Sequence, residues 1–238
     1  MSVSVVIPAY NEAGLIFDQV RRCLELRPRP EVIVVDGSSA DDTLALARRA
    51  GAVTLAAPAR GRASQMNCGA EAAGGDILVF LHADVLLSQR AYEAMREVLA
   101  GSTVIGGAFR RRFDHSSTLL RMTCRLADLR GRLFGIYLGD QTIFVRRGIF
   151  REMGGYPSMR LFEDVAFSRR LRMRGMTRLV AETVTASGRR FRAEGNLRRL
   201  AADLCLVTLY CAGFHPDALA RRYYPGYFDE ELRRSPTR

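Results

Sequence analysis

Residues Gly74–Asp84 read GGDILVFLHAD. An unbroken apolar run, Ile77–Leu81, lies between paired glycines and the polar His82 and Asp84. A short continuous run stopped at both ends predicts a strand buried on both faces. Such strands occupy the middle of α/β sheets, where ligands bind beyond the carboxyl ends of the strands. Asp84 is thus delivered to a ligand crevice. A carboxylate there needs something to offset its desolvation: a divalent cation, or the backbone of the helix expected from about Ser88.

The same pattern precedes this stretch three times. Ser2–Ala9 is an apolar strand ended by Pro8, with Asn11-Glu12 after it and a helix carrying Leu15, Ile16, Val20, Cys23 and Leu24 on one face. Glu31–Asp36 (EVIVVD) is a second buried strand ending in a carboxylate. The turn Gly37-Ser38-Ser39 follows, then a helix capped by Asp41 or Asp42 and running to Gly51. Ala52–Ala57 is a third strand and Gly61–Ala73 a third helix, stopped by Gly74-Gly75. Strand–helix alternation at this spacing predicts right-handed βαβ crossovers and a parallel sheet. Glu12, Asp36 and Asp84 then converge at one edge.

The second half is less regular. Val104–Arg112 and Thr142–Val145 read as strands, and Thr177–Ala181 as a last one. Helices are expected over 148–153, from Phe162-Glu163-Asp164 to Gly175, and over 196–214. Ser116–Phe134 reads as an amphipathic helix. Its leucines are expected against the core and its arginines in solvent; lying on an anionic membrane is the second reading. The tail from Tyr223 is expected to fray.

The 238 residues suffice for one α/β unit with a core and a C-terminal appendage. Net charge is +11, and all 36 basic residues are arginine. Without lysine, Schiff-base chemistry is excluded. The surplus charge suits an anionic ligand or membrane surface; no nucleic-acid motif is present, and nucleic acid is not an expected partner. Five cysteines without CxxC spacing indicate neither a disulfide framework nor a zinc site, which makes a reducing cytoplasm the expected location, with peripheral contact at the inner face of the membrane as an addition. The opening MSVSVVIPAY enters a strand at once and is not expected to be a signal peptide; no stretch is long and apolar enough to span a bilayer.

Ser4–Glu12 (SVVIPAYNE), Val34–Ser39 with Asp41-Asp42-Thr43, Gly74-Gly75-Asp76 leading to Phe80–Asp84, Arg146-Arg147 with Phe150 and Gly154-Gly155-Tyr156, and Phe162-Glu163-Asp164 together resemble family 2 glycosyltransferases over roughly residues 3–185. The resemblance implies a GT-A fold: a mostly parallel central sheet flanked by helices, in 1–185, with a helical C-terminal segment, 186–238, packing on the acceptor side. It implies inverting transfer of a sugar from a nucleoside diphosphate sugar, UDP- or GDP-linked, to an acceptor that is a lipid, glycan or small molecule, with Mn²⁺ or Mg²⁺ bound.

The same resemblance assigns residues. Asp84 matches the last position of the family's Asp-x-Asp metal element, while His82 stands where the first Asp is usual. His82 then ligates the metal, hydrogen-bonds the sugar or a phosphate, or is a satisfied core histidine; Ala83 between them lies against the nucleotide sugar. Asp36 matches the carboxylate that accepts from the base; its alternative is a role in its own turn. Pro8, Ala9 and Glu12 match the loop around the nucleoside, although Glu12 also suits a helix N-terminus. Arg62 matches a basic residue that binds phosphate, or is a solvated arginine. Asp164 is the candidate general base and Glu163 the catalytic residue beside it that holds the acceptor or orients the base, or both are helix-N-terminal acids. Asp140 and Gln141 are read as sugar or acceptor contacts, and Arg190, with Arg189 and Arg192, as part of a lid over the diphosphate. The chain lacks Trp and therefore the Gln-x-x-Arg-Trp element of processive synthases, which favours single transfers. Two rivals stand beside this reading. A nucleotidyltransferase would want a Gly-rich, arginine-containing loop after the first strand, which Ala9–Gly14 is not. A non-catalytic nucleotide-sugar-binding protein would not need Asp36, Asp84 and Asp164 together.

Overall fold

The structure is a computed structural model that describes residues 1–101, 103–115 and 117–223. The expected alternation is present: β1 (Val3–Ala9), α1 (Ala13–Glu25), β2 (Glu31–Asp36), α2 (Thr43–Ala50), β3 (Val53–Ala56), α3 (Arg62–Ala72) and β4 (Ile77–Phe80). These strands pair in parallel in the order β3-β2-β1-β4. Ala9 lies opposite Asp36 in the register, so the first two strands end side by side. All of Ile77–Leu81 is buried, as a central strand covered on both faces requires.

Beyond β4 the sheet changes direction. After a two-residue strand β5 (Val85–Leu86) and helix α4 (Gln89–Ala100) come β6 (Val104–Phe113), α5 (Thr118–Phe134), β7 (Ile143–Arg146), α6 (Arg147–Glu152), α7 (Glu163–Arg174) and β8 (Met176–Ala186). β7 runs antiparallel to β4, with Ile143 opposite Phe80. The start of β7 therefore meets the end of β4, and the 3₁₀ turn Gly139–Gln141 lands beside His82–Asp84. β6 and β8 pair in parallel and end together, Phe113 opposite Ala186; Ala186 in turn faces Val85. Two apolar clusters fill the two sides of this sheet. A third, smaller one joins Phe162, Leu206 and Leu219 through the C-terminal helices α9 (Asn196–Cys211) and α10 (Pro216–Tyr223).

Several local expectations need correction. β8 extends to Ala186, five residues past the expected end, because Val180, Val184 and Ala186 alternate inward along an otherwise polar strand. β5, α10 and helix α8 (Arg189–Glu194) were not expected; each is too short to carry a periodic signal. The α2 start is bonded by Asp41, whose carboxylate accepts from the Thr43 and Ala13 amides, and Asp42 makes no side-chain cap. Helix α4 starts near Ser88 as expected, and its cap is Ser88 itself, accepting from the Ala91 amide at 3.2 Å, rather than Asp84. Most consequentially, the leucine row of α5 faces solvent. The face that packs inward carries Leu120, Ala127 and Gly131, where a Cβ at Gly131 would already come within 3.2 Å of the Tyr137 ring. Leu120 packs inward as expected, while the small Ala127 and Gly131 let the helix lie close to the sheet and leave Met122, Leu126, Leu129 and Leu133 outside. The expected fraying of the tail concerns residues 224–238, which lie outside the described residues.

Candidate active site

The strand ends meet at a crevice of about 900 Å³. The side formed by the ends of β1 and β2 is built by side chains that tie loops to loops. Gln65 of α3 donates to the Ala9 carbonyl at 2.7 Å and the Val35 carbonyl at 2.9 Å, clamping the ends of β1 and β2. Asn11, with positive φ, accepts from the Ala40 amide at 2.8 Å, while the Glu12 amide donates to Thr43 Oγ1 at 2.8 Å. Asp36 accepts from the amides of Ser38 and Ser39 at 3.1 and 3.0 Å and from the Ser39 hydroxyl. Its carboxylate is thus engaged by its own turn, and Gly37, not Asp36, lines the crevice.

At the end of β4 the chain turns through His82–Asp84. Gln19 of α1 holds this turn from below, donating to the carbonyls of Val85 at 2.6 Å and His82 at 3.2 Å. The Asp84 carbonyl accepts from the Ser187 amide at 3.0 Å, joining the turn to the end of β8. Arg189, at the start of α8, grips Glu12 with two bonds, at 2.5 and 2.9 Å, and its Nε lies 3.4 Å from Asp84 Oδ2. Glu12 and Asp84 therefore share one cation. Arg192 pairs instead with Asp114 at 3.1 Å. The Arg190 side chain lies outside the described residues.

Facing this turn is the acidic start of α7. Asp164 Oδ2 accepts from the Gly139 amide at 2.7 Å, and Oδ1 from the Val165 amide at 2.7 Å. The His82 ring lies against Gly139; a Cβ there would sit 2.6 Å from His82 Nε2 and 3.6 Å from Asp164 Oδ2. His82, Gly139 and Asp164 thus form one continuous wall. Phe162, preceding the two acids, has positive φ, a conformation that costs a bulky residue energy and is held here by its stack on Tyr210 at 4.4 Å.

Burial pushes the Glu163 carboxyl up to about 7, and the charge of Asp164 adds to it, while Arg62 opposes the rise. Burial also raises Asp164, against its two amide donors and Arg62. Two adjacent carboxyls of this kind titrate as a pair, each charge raising the cost of the other. Asp140 pairs with Arg111, a buried side chain. Arg111 Nε and Asp140 Oδ1 find no partner among the described residues, so this pair keeps bonding capacity beside the crevice.

Pro8, Ala9, Glu12, Arg62, His82, Ala83, Asp84, Asp140, Glu163 and Asp164 all line the one crevice. Gln141 does not: it is fully buried, accepting from Arg130 at 2.9 Å and donating to the Phe109 carbonyl at 3.3 Å. Gln65, Arg111 and Arg189 line it as well. Gln65 and Arg111 had no sequence signal, one being a polar residue within a helix and the other an arginine among 36 basic residues.

A family model described as glycosyl transferase family 2 matches residues 4–171. The chain belongs to that family. It is a glycosyltransferase, and its sheet is that of the GT-A fold. Among solved structures it is similar to the mannosyltransferase PcManGT from Pyrobaculum calidifontis in complex with GDP-Man and Mn²⁺, at 22% identity and TM-score 0.66, over 93% of this chain and 69% of that one. TarS from S. aureus in complex with UDP shares 16% identity at TM-score 0.60, over 79% and 60% of the two chains. Glucosyl-3-phosphoglycerate synthase from Mycobacterium tuberculosis in complex with phosphoglyceric acid shares 20% at 0.53, over 78% and 70%. The chain thus spans 60–70% of the length of these neighbours. No curated protein sequence matches it.

A divalent ion fits the donor set of this glycosyltransferase in a limited way. Among the described residues no three His, Cys, Asp or Glu side chains gather to hold one. Asp84 is a partly exposed carboxylate that already attracts a cation, the Arg189 guanidinium. One carboxylate plus the oxygens of a diphosphate is a sufficient set for Mg²⁺ or Mn²⁺. No helix among the described residues is long and apolar enough to cross a membrane.

Proposed function

We propose that the chain transfers a single sugar, with inversion, from a UDP- or GDP-linked donor to an acceptor hydroxyl. The observation that carries this reading is the continuous wall from Asp84 through His82 and Gly139 to Asp164. A candidate ligand for the ion on the donor's diphosphate, Asp84, and a candidate base, Asp164, line one crevice. Asp164 takes the proton from the acceptor hydroxyl as that oxygen attacks the anomeric carbon, and the bond to the diphosphate breaks on the opposite face. Burial raises both carboxyls, and the two backbone amides and Arg62 that favour the charged form of Asp164 suit it to the role of base. Arg62, at the start of α3, faces the same two carboxyls and is the phosphate contact on the nucleotide side.

Asp84 would hold the divalent ion, Mn²⁺ or Mg²⁺, which supplies Lewis-acid stabilisation of the departing diphosphate. His82, packed on Gly139, suits a hydrogen bond to the sugar or a phosphate better than a second metal bond, because its ring is turned toward the acidic wall. Glu12 and Arg189 hold the nucleotide loop to the start of α8. Residues 186–238 are the acceptor-side segment in this reading.

The test is nucleotide release from a panel of UDP and GDP sugars, with Mn²⁺, Mg²⁺ or EDTA. Metal-dependent release is expected. Pyrophosphate release from a nucleoside triphosphate and a sugar phosphate would replace this reading with nucleotidyl transfer. No release from any donor and acceptor would leave nucleotide-sugar binding alone.

A further inference from the structure

Helix α5 turns its largest apolar side chains away from the protein. Met122, Leu126, Leu129 and Leu133 are spaced i, i+4, i+7 and i+11 and form one row, with exposures of 53–62%. Beside them runs a second exposed row, Arg121, Arg125 and Arg132. The one acid of this helix, Asp128, is buried and paired with Arg110 at 2.6 Å, so the exposed face is apolar and cationic without acidic relief. Across the crevice, α9 exposes Leu197 and Leu204, two turns apart, at 76% and 64%. Leu126 and Leu204 both line the crevice. The apolar surface is therefore continuous with the mouth of the site.

An exposed leucine row is costly to keep in water and marks a contact surface. We propose that α5 and the adjoining turns of α9 dock on an anionic bilayer, with the crevice mouth facing the lipid, and that the acceptor drawn from there is amphiphilic. The leucines enter the boundary of the acyl region, and the arginine row lies at the level of the lipid phosphates. A second copy is the weaker occupant: a two-fold contact across α5 would press together the arginine rows of two chains that each carry +11. The statement about the acceptor rests on the transfer reading above; the docking of α5 does not.

The experiment is co-sedimentation of the full-length protein with vesicles of phosphatidylcholine, with and without phosphatidylglycerol. Three arginines predict binding roughly a hundredfold tighter to the anionic vesicles. Leu129→Glu with Leu133→Glu, at exposed positions outside the crevice, should lower that binding about tenfold or more, with melting temperature and nucleotide affinity unchanged. Arg121→Gln, Arg125→Gln and Arg132→Gln together should close the gap between the two kinds of vesicle. Absence of wild-type binding to anionic vesicles overturns the proposal. So does a dimer in sedimentation velocity that the leucine substitutions dissociate. Binding that neither set of substitutions alters also overturns it. For the acceptor, faster turnover of a lipid-linked hydroxyl than of its water-soluble headgroup supports the amphiphilic assignment, and the reverse refutes it. Vesicle binding with no nucleotide release from any donor would instead remove the transfer reading and keep the docking face.

Discussion

The two sides of the crevice are held by different means. At the ends of β1 and β2, hydrogen bonds between neighbouring loops and strand ends fix the geometry: Gln65 on the carbonyls of Ala9 and Val35, Asp36 in its own turn, Asn11 on Ala40. Each bond satisfies a backbone group that a loop would otherwise expose. Around Gly139 and the start of α7, ionisable groups face one another: Arg111 pairs with Asp140, and Arg62 offsets the adjacent Glu163 and Asp164. Hydrogen-bonded turns make a rigid cradle that tolerates small changes. Buried charges make a site whose protonation answers to its occupant, and whose single members are costly to remove.

Substitutions can break that contrast in order of expected size. Asp164→Asn should lower kcat about a thousandfold, since a positioned base contributes on that scale. Calorimetric titration should find nucleotide affinity close to wild type; equal loss of both would move Asp164 to the nucleotide side. Glu163→Gln addresses the raised carboxyl. A carboxyl that titrates near 7 when folded and near 4.5 when unfolded binds an extra proton in the native state between those values. Wild-type stability therefore falls as pH rises from about 4.5 to about 7 and levels above it. The glutamine variant should show no such fall and should exceed wild type by about 2–3 kcal/mol at pH 8, read from urea melts without ligand.

Arg111→Ala strands Asp140 and should cost about 2 kcal/mol in the same assay, reduced from the fully buried case because the Asp140 side chain is 32% exposed. Arg90→Ala, which breaks the exposed pair with Glu182, should stay within about 0.5 kcal/mol. Similar losses at both positions would dissolve the contrast. Asp84→Ala should weaken donor binding about tenfold in Mn²⁺ and leave binding in EDTA unchanged; a metal dependence that survives the substitution would remove Asp84 as the ligand.

The contrast also explains what was legible beforehand. The side built on β1, β2 and β4 follows local rules. Ile77–Leu81, Val32–Val35 and Val3–Ile7 are short buried runs between breakers, and Ser88, Gly51 and Gly75 stop or start helices where such residues do. Their order brought Glu12 and Asp84 to one edge. The side around Gly139 and α7 depends on contacts far apart in sequence. Nothing near Arg111 distinguishes it from other arginines until β6 and β7 pair and Asp140 arrives beside it. Gln141 carries the same motif as Asp140, yet the 3₁₀ turn sends its side chain into the core.

Sequence alone determined the parallel half of the sheet, the carboxylates at its edge, and the family, because burial on two faces and loop punctuation are written in consecutive residues. Tertiary structure decided three things. The antiparallel entry of β7 beside β4 sets Gly139 between His82 and Asp164. Arg189, far along the chain, closes on Glu12 and Asp84. The direction of α5 was settled by Leu120 with the small Ala127 and Gly131, which pack inward and leave Leu126, Leu129 and Leu133 outside. A helix with two plausible faces carries no local record of which one a sheet will accept, and only close packing chooses.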